Sequence, residues 1–217
     1  MTRALAIVAL AGMCTSACTS QPSGADSRIA YQHFWRGQSQ ILSVRSDGTG
    51  TVKLSQATGR NEYPDFSSDG NFLAYERSSA IYVVDADGTN RRMLVSDGYG
   101  PVWSPNGERL LFNRYRTGID IAIVSIKADG TGLNELTSGK ITDPPEWSPD
   151  GSRIAFVRER RDLTRLWVMN ADGSEETRLT GAPDTQDYGP EWSPDGRKLL
   201  FTRSRSYRNR CFEATSL

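Results

Sequence analysis

Histidine and cysteine are scarce in this chain, which has one histidine and three cysteines among 217 residues. A Ser-His-Asp or Cys-His catalytic arrangement would have to use His33, and too few ligands of the usual types are present for a zinc site. A framework of structural disulfides is also disfavoured, because it needs paired cysteines. These shortages argue against nucleophilic catalysis, a zinc site and a disulfide-rich fold.

Net charge is also missing, since 26 lysines and arginines balance 26 aspartates and glutamates. Proteins built to bind nucleic acid or an anionic membrane surface usually carry an excess of basic residues. We therefore expect no nucleic-acid partner. A basic stretch between Arg197 and Arg210 is interpreted as a solvated end of the chain.

The longest apolar run near the start, residues 4–13, is too short to span a bilayer as a mature helix. It follows a positively charged start and ends in the small residues that precede Cys18. This pattern resembles a bacterial lipoprotein signal, although Thr15 stands where leucine is usual.

We interpret residues 1–17 as a signal peptide, Cys18 as a lipidated residue and residues 18–26 as a flexible tether. Cleavage near Ala17 without lipid and an uncleaved anchor are the alternatives. Without lipid, a bridge between Cys18 and Cys211 is conceivable.

One short motif occurs four times along the chain. Its copies are Asp65-Phe66-Ser67-Ser68-Asp69-Gly70, Val102-Trp103-Ser104-Pro105-Asn106-Gly107, Glu146-Trp147-Ser148-Pro149-Asp150-Gly151 and Glu191-Trp192-Ser193-Pro194-Asp195-Gly196. The final glycines are spaced by 37, 44 and 45 residues. Such a period indicates one small structural unit copied in tandem.

Alignment of the copies shows four segments of about 4–6 residues that read as β-strands, although the last copy supplies only the first two. The segments are rich in β-branched and aromatic residues and are bounded by Gly, Pro, Asn or Asp. The second and third segments are apolar at consecutive positions, which is typical of strands with both faces buried. Four-stranded units of about 42 residues predict an all-β fold, a β-propeller built of blades.

The array of blades is predicted to cover residues 27–203. It begins within a blade, because residues 27–31, 40–48 and 52–54 match the second, third and fourth segments. It ends after a first and a second segment. We therefore predict three whole blades plus two partial end blades, arranged as a closed four-bladed ring or as an open, truncated array. Residues 204–217 are predicted to form an irregular tail that adds no third strand.

The repeat resembles that of TolB-like propellers. The resemblance rests on Pro-x-Trp-Ser-Pro-Asp-Gly-x-x-Ile-Ala-Phe, followed by Ile-Tyr-Val-x-x-Ala-Asp-Gly and Arg-Leu-Thr, and is nearly complete at 141–182. TolB members of that family are periplasmic, carry an α/β domain before a six-bladed propeller, and bind a peptidoglycan-associated lipoprotein. The resemblance thus implies an exported envelope protein, here expected to lack the α/β domain.

The segments that lead into the first strand of each blade are the candidates for partner binding. We call them the lead-in segments: Tyr63-Pro64-Asp65, Tyr99-Gly100-Pro101-Val102, Asp143-Pro144-Pro145-Glu146 and Tyr188-Gly189-Pro190-Glu191. The resemblance implies that they lie near the opening of the central channel. Tyrosine beside acidic residues suits a peptide or protein partner. The predicted binding residues are Tyr63, Asp65, Tyr99, Glu146, Tyr188 and Glu191; ordinary packing in a turn is the alternative.

The sequence thus predicts a non-enzymatic binding or scaffold module at the bacterial cell envelope. We expect a protein or peptide partner, membrane attachment through the N-terminal lipid, and no cofactor or metal. Paired carboxylates could instead make it the propeller of a carbohydrate- or peptide-processing enzyme. A truncated, non-functional copy is the third interpretation. The turn aspartates Asp69, Asp150 and Asp195 are assigned to the fold, as is the Asp85-Ala86-Asp87-Gly88 hairpin, which starts like a calcium loop.

Overall fold

The computed structural model describes residues 27–56, 58–118 and 120–205, together with the backbone of 208–209 and 213–216. The predicted signal peptide, Cys18 and the tether at 18–26 lie outside the described residues. All regular structure in the described part is β-strand. No helix there is long and apolar enough to cross a bilayer.

The first sheet has three antiparallel strands in the order β1-β2-β3. Its strands are β1 (Arg28–Trp35), β2 (Gln38–Arg45) and β3 (Val52–Lys53). They correspond to the second, third and fourth segments of the repeat, which confirms that the described array begins with a partial blade. We call this sheet blade 1.

Three sheets of four strands follow, blades 2, 3 and 4, and their strands are antiparallel neighbours in chain order. Blade 2 contains β4 (Asn61–Phe66), β5 (Phe72–Arg77), β6 (Ala80–Asp85) and β7 (Arg92–Val95). Blade 3 contains β8 (Tyr99–Trp103), β9 (Arg109–Tyr115), β10 (Ile121–Lys127) and β11 (Asn134–Gly139). Blade 4 contains β12 (Glu146–Trp147), β13 (Arg153–Arg160), β14 (Leu163–Asn170) and β15 (Thr177–Arg178). The predicted three whole blades are confirmed.

Blade 5 corrects the prediction for the tail. It contains β16 (Thr185–Trp192), β17 (Lys198–Arg205), β18 (Arg208–Asn209) and β19 (Glu213–Ser216). Both β18 and β19 pair with β17, on the edge that β16 leaves open. The tail is therefore not irregular throughout, and it supplies a third strand. The physical reason is that an open strand edge leaves backbone donors and acceptors unpaired, and nearby chain can satisfy them.

The chain divides into two compact units, residues 1–103 and 104–217. In the first unit, a buried cluster joins blades 1 and 2 through Ala30, Ile41, Leu54, Phe66, Leu73, Tyr75 and Val84. In the second unit, Ala155 and Val168 of blade 4 pack against Trp192 and Leu199 of blade 5. Consecutive residues are buried in the middle strands, for example 110–113 in β9. This confirms that both faces of these strands are covered.

The tryptophan of the repeat packs between blades. Trp103 is 2% exposed and its ring stacks on Phe72 of the preceding blade, with ring centroids 6.4 Å apart. Trp192 is 7% exposed and lies in the cluster shared with blade 4. Burying a large aromatic side chain contributes about 1.5–3 kcal/mol to stability. The motif therefore holds neighbouring blades together.

Candidate functional site

The lead-in segments lie within the first strand of blades 2, 3 and 5 and directly before that of blade 4, and in blades 2 and 5 they contain a β-bulge. In blade 2 the register shifts between Glu62 and Asp65, and in blade 5 between Tyr188 and Glu191. Two residues of the first strand, 63–64 in blade 2 and 189–190 in blade 5, then face one residue of the second strand. Bulges bend a strand and turn its side chains to new directions, and they are common beside functional sites.

The extra residue of the bulge adopts a left-handed backbone conformation. Gly100 has φ 62° and Gly189 has φ 56°, and Tyr63 takes the same conformation with φ 51°. Tyr63 therefore occupies the glycine position, and Glu62 is the residue equivalent to Tyr99 and Tyr188. A non-glycine residue in this region costs about 1–2 kcal/mol, so the surroundings must hold Tyr63 there. Tyr63 therefore does not occupy the same position as Tyr99 and Tyr188.

All three predicted tyrosines are half-buried, with part of each side chain open to solvent. Tyr63 and Tyr99 belong to the first unit, Tyr63 within β4 and Tyr99 at the start of β8, while Tyr188 belongs to the second unit. The hydroxyl of Tyr188 donates to the side-chain oxygen of Gln186. Each unit thus presents its own aromatic lead-in surface.

The three predicted acidic residues have different surroundings. The carboxylate of Asp65 accepts a hydrogen bond from the backbone N–H of Trp103, with a donor–acceptor distance of 2.6 Å. Asp65 therefore joins β4 of blade 2 to β8, the first strand of blade 3, and contributes to packing between these strands. Glu146 is half-buried, and its carbonyl oxygen accepts from the indole N–H of Trp192 at 3.4 Å. Glu191 is exposed.

Asp143 lies in the position of Tyr99 and Tyr188, and its carboxylate accepts from the backbone N–H of Gly189 at 2.7 Å. The amide of the fully buried Asn113 donates to the carbonyl oxygen of Asp143 at 2.9 Å. Burial raises the pKa of the Asp143 carboxyl. These bonds join the lead-in segments of blades 4 and 5 to the second strand of blade 3, within the second unit.

Two glutamates face each other behind the lead-in segment of blade 2. Glu62 and Glu76 are register partners on β4 and β5, so their side chains project from the same face of the sheet. Burial raises the pKa of Glu76 to about 7, and the charge of Glu62 adds to the rise. Hydrogen bonds from the backbone N–H groups of Ser79 and Gly100 oppose it. Glu62 also accepts from Arg60 at 2.8 Å.

We expect the free energy of unfolding to fall as the pH rises from about 5 to about 8, because of Glu76. Its pKa in the folded state, about 7, lies above its value of about 4.5 in an unfolded chain, so the folded state binds the proton more tightly. The stability from this proton is complete below the unfolded pKa and is lost as the pH passes the folded pKa. With allowance for partial exposure, the loss should be about 1–2 kcal/mol.

Urea unfolding of the parent and of Glu76→Gln at both pH values measures this effect. Glu76→Gln should remove most of the pH dependence, whereas the exposed Glu191→Gln should leave it unchanged. An equal pH dependence of stability in Glu76→Gln and the parent would show that Glu76 is not its source.

Asp187 and Arg203 form an ion pair directly upstream of the blade 5 lead-in segment. The side chain of Asp187 is 0% exposed, and Arg203 donates to it through Nε at 2.7 Å and through a terminal nitrogen at 3.3 Å. The backbone N–H of Asp187 donates to the hydroxyl of Thr164 on blade 4. Arg203 is thus a fixed partner of a buried carboxylate, which corrects its interpretation as part of a solvated basic end.

Comparison with known proteins identifies the repeat. Residues 79–216 match the family model described as the TolB beta propeller domain. The chain belongs to the TolB beta propeller domain family. It is 38% identical over 76 residues to the Tol-Pal system protein TolB of Geobacter sulfurreducens, a match that covers 32% of this chain and 17% of that protein.

Solved structures of other propellers share the fold. The chain aligns with TolB from Acinetobacter baumannii at a TM-score of 0.73 and 21% identity, over 87% of this chain and 50% of that one. It aligns with an oligogalacturonate lyase in complex with manganese at a TM-score of 0.66 and 17% identity, over 83% of this chain and 57% of that one. The chain therefore spans between about a sixth and somewhat over half of these relatives, and such identities show the fold alone.

The other residues of this TolB-family propeller that were considered for catalysis or metal binding have structural roles or lack suitable neighbours. Asp150 accepts from Ser148 and Ser152, and these hydrogen bonds lower its pKa to about 2. Asp87 accepts from Thr89 in a hairpin turn. His33 is exposed and lies within β1. Among the described residues, no group of three or more His, Cys, Asp or Glu could hold a metal ion.

The sequence pattern did not point to Glu76, Asn113 or Asp187, and it included Asp143 only as part of a lead-in segment. Glu76 and Asn113 occupy the same position of the repeat, since each stands six residues after the glycine of its motif. Val157 stands at the equivalent position in blade 4. A polar residue where another copy of the repeat has an apolar one is the signal by which Glu76 and Asn113 could have been predicted.

Proposed function

We propose that this chain is a non-enzymatic binding module of the bacterial cell envelope that engages a protein or peptide through its lead-in segments. The observation that carries the proposal is that half-exposed tyrosines lie in the lead-in segments. Hydrogen bonds between neighbouring blades hold these segments in place. Similarity to a Tol-Pal system protein supports an exported, periplasmic location. A fixed backbone lowers the entropy cost of binding, because the surface is ordered before the partner arrives.

The two units offer surfaces of similar chemistry. In the first unit Tyr63 and Tyr99 are half-exposed, and Asp65 is engaged with the backbone of Trp103. In the second unit Tyr188 and Glu146 are half-exposed and Glu191 is exposed. Tyrosine presents a large apolar ring with one polar end, which suits partly hydrated protein interfaces. A partner with apolar side chains and basic residues would complement these surfaces.

Binding should depend on individual tyrosines. We expect Tyr99→Ala and Tyr188→Ala to weaken capture of the envelope partner by about tenfold each, as for a central interface tyrosine. The test is affinity capture from envelope extract with the full chain, followed by titration of the captured protein. Tyr115→Ala is the matched control, because Tyr115 is 51% exposed and lies outside the lead-in segments. Equal weakening by Tyr115→Ala, or none by the other two, would refute the proposed surface.

An enzymatic function is the second candidate, favoured by the Glu62–Glu76 pair and by the likeness in fold to a lyase. A carboxyl group with a pKa of about 7 can donate and accept a proton near neutral pH. A turnover screen against envelope glycans and peptides separates the two candidates. Activity that disappears in Glu76→Gln while the fold survives would establish the enzyme instead of the binding module.

For the N-terminus, we propose that Cys18 carries the lipid that attaches the protein to a membrane. The support is the sequence pattern before it, since this residue lies outside the described part. Mass spectrometry of the mature N-terminus tests the proposal, and an unmodified Cys18 would refute it.

A further inference from the structure

The hairpin of blade 1 carries a rigid aromatic tip. Strands β1 and β2 pair without interruption from Arg28 opposite Arg45 to Trp35 opposite Gln38. Two residues connect them, Arg36 with φ 49° and Gly37 with φ 77°. Positive φ at both central residues is the mark of a type I′ turn, whose twist matches that of the strands. The residues at the tip are therefore held in a fixed position.

The fold does not require aromatic residues at this tip. The equivalent hairpins of blades 2 and 4 also turn through two residues with positive φ, at 78–79 and 161–162. Their flanking pairs are Arg77 with Ala80 and Arg160 with Leu163. Blade 1 instead has Trp35, which is 67% exposed, preceded by Phe34, which is 49% exposed.

Trp35 differs from the other tryptophans. The chain has five, of which Trp103, Trp147 and Trp192 are at most 7% exposed and Trp167 is half-buried against Phe156. Trp35 forgoes the stability that burial would give, and together with Phe34 it forms an exposed apolar patch, the kind of feature that marks a binding surface.

The arrangement of the two rings distinguishes the kinds of surface. Successive residues of a strand point to opposite faces, so Phe34 and Trp35 cover both sides of the hairpin. A flat sugar-binding platform needs rings on one face, whereas a wedge entering a soft apolar layer uses both. The geometry therefore favours lipid over glycan.

The charge at the tip itself is positive. Arg36 follows the aromatic pair, and its guanidinium lies 5.0 Å from the centre of the Trp35 ring. No aspartate or glutamate occurs between Ser27 and Ser46. The neighbouring loop approaches β2 where Ser39 donates to the carbonyl of Gly59, and its Arg60–Glu62 ion pair adds no net charge. The neutral net charge of the chain thus conceals a local cationic tip.

We propose that the tip formed by Phe34, Trp35 and Arg36 inserts into an anionic lipid surface. The two rings enter the interfacial layer, where tryptophan is favoured, and Arg36 binds lipid phosphate. The hairpin then adds a membrane contact to the one proposed at Cys18. This inference rests on the proposed envelope location but is independent of the lead-in surfaces.

The test uses the full chain and vesicles of phosphatidylglycerol mixed with phosphatidylcholine, with and without bromine on the acyl chains. Brominated anionic vesicles should quench the fluorescence of Trp35, and access of acrylamide to it should fall severalfold. Trp35→Phe identifies the signal, because it should remove the quenching. Trp35→Ala should lower the affinity for these vesicles by about tenfold relative to the exposed control Met93→Ala. Both variants carry the same N-terminus, so that segment contributes equally to each.

Arg36→Gln should weaken binding to anionic vesicles, whereas Arg161→Gln, at another hairpin tip, should not. Thermal unfolding of each variant shows whether it is folded. The proposal is overturned if Trp35 remains unquenched on bound chains, if neutral vesicles bind the tip equally well, or if Met93→Ala weakens binding as much as Trp35→Ala. Loss of binding to insoluble peptidoglycan in Trp35→Ala, with vesicle binding intact, would assign the tip to a glycan and also overturn it. Failure of the tyrosine variants to affect partner capture leaves this result unchanged.

Discussion

Arg203→Ala should lower the free energy of unfolding by about 3–5 kcal/mol, the largest effect that we expect from a single polar substitution. The carboxylate of Asp187 is fully buried, and the guanidinium of Arg203 neutralises it through two hydrogen bonds. Removing the guanidinium leaves a buried charge without its counter-charge. Such a charge is far less stable than the same group in water, so the folded state loses stability.

Urea unfolding at neutral pH measures this effect. Arg205→Ala is the matched control, because Arg205 lies on the same strand but is exposed, and it should change stability by less than about 0.5 kcal/mol. Adding Asp187→Asn to Arg203→Ala should recover part of the loss, since the remaining buried group is then neutral. Similar losses in Arg203→Ala and Arg205→Ala would show that the ion pair is not important for stability.

Alanine at Gly88 or Gly173 should destabilise the fold more than alanine at Gly48, although all three glycines occupy equivalent Asp-Gly turns. Their φ angles are 88°, 92° and 83°. A Cβ at Gly88 would lie 2.7 Å from the carbonyl oxygen of Lys53, and one at Gly173 would lie 2.8 Å from that of Leu136. Around Gly48 no atom lies within 4 Å.

All three substitutions share the strain of left-handed backbone, about 1–2 kcal/mol. Gly88→Ala and Gly173→Ala should add about 1–3 kcal/mol, because the contacted atoms belong to the backbone of the preceding blade and cannot rotate away. Comparison of thermal and urea midpoints with those of Gly48→Ala isolates the contribution of close blade packing. Equal losses of stability at the three positions would mean that the close approach to the preceding blade at Gly88 and Gly173 does not contribute to the effect.

Both predictions concern contacts between distant parts of the chain, whereas the features within one blade depend on residues that are close in sequence. The four-stranded blades, the Ser-Pro-Asp-Gly turns and the packing tryptophan follow from residues close together in the sequence. For example, the hydroxyl of Ser67 bonds to Asp69, two residues away, at 2.6 Å. Patterns of this length were enough to predict the whole blades and the partial blade at the start.

The candidate site was predicted less completely, because its bonds join residues far apart in the chain. Asp65 meets the backbone of Trp103, 38 residues later, and Asp143 meets Gly189, 46 residues later. In blade 2 Tyr63 occupies the left-handed position that Gly100 and Gly189 occupy in blades 3 and 5, although its residue type matches Tyr99 and Tyr188. The pairing of β19 with β17 was missed because its four residues, Glu213–Ser216, lack a strand-like pattern.

By itself, the sequence determined the repeat, the all-β blades and the turns between their strands, since hydrophobic pattern and turn chemistry act over a few residues. Only the tertiary structure decided which polar groups are enclosed between blades and which remain available for binding. Asp65 and Asp187 are engaged in a hydrogen bond and an ion pair within the fold, whereas Glu191 and Trp35 are exposed to solvent. The reason is that burial and hydrogen-bond partners depend on the neighbouring blade, which one copy of the repeat does not specify.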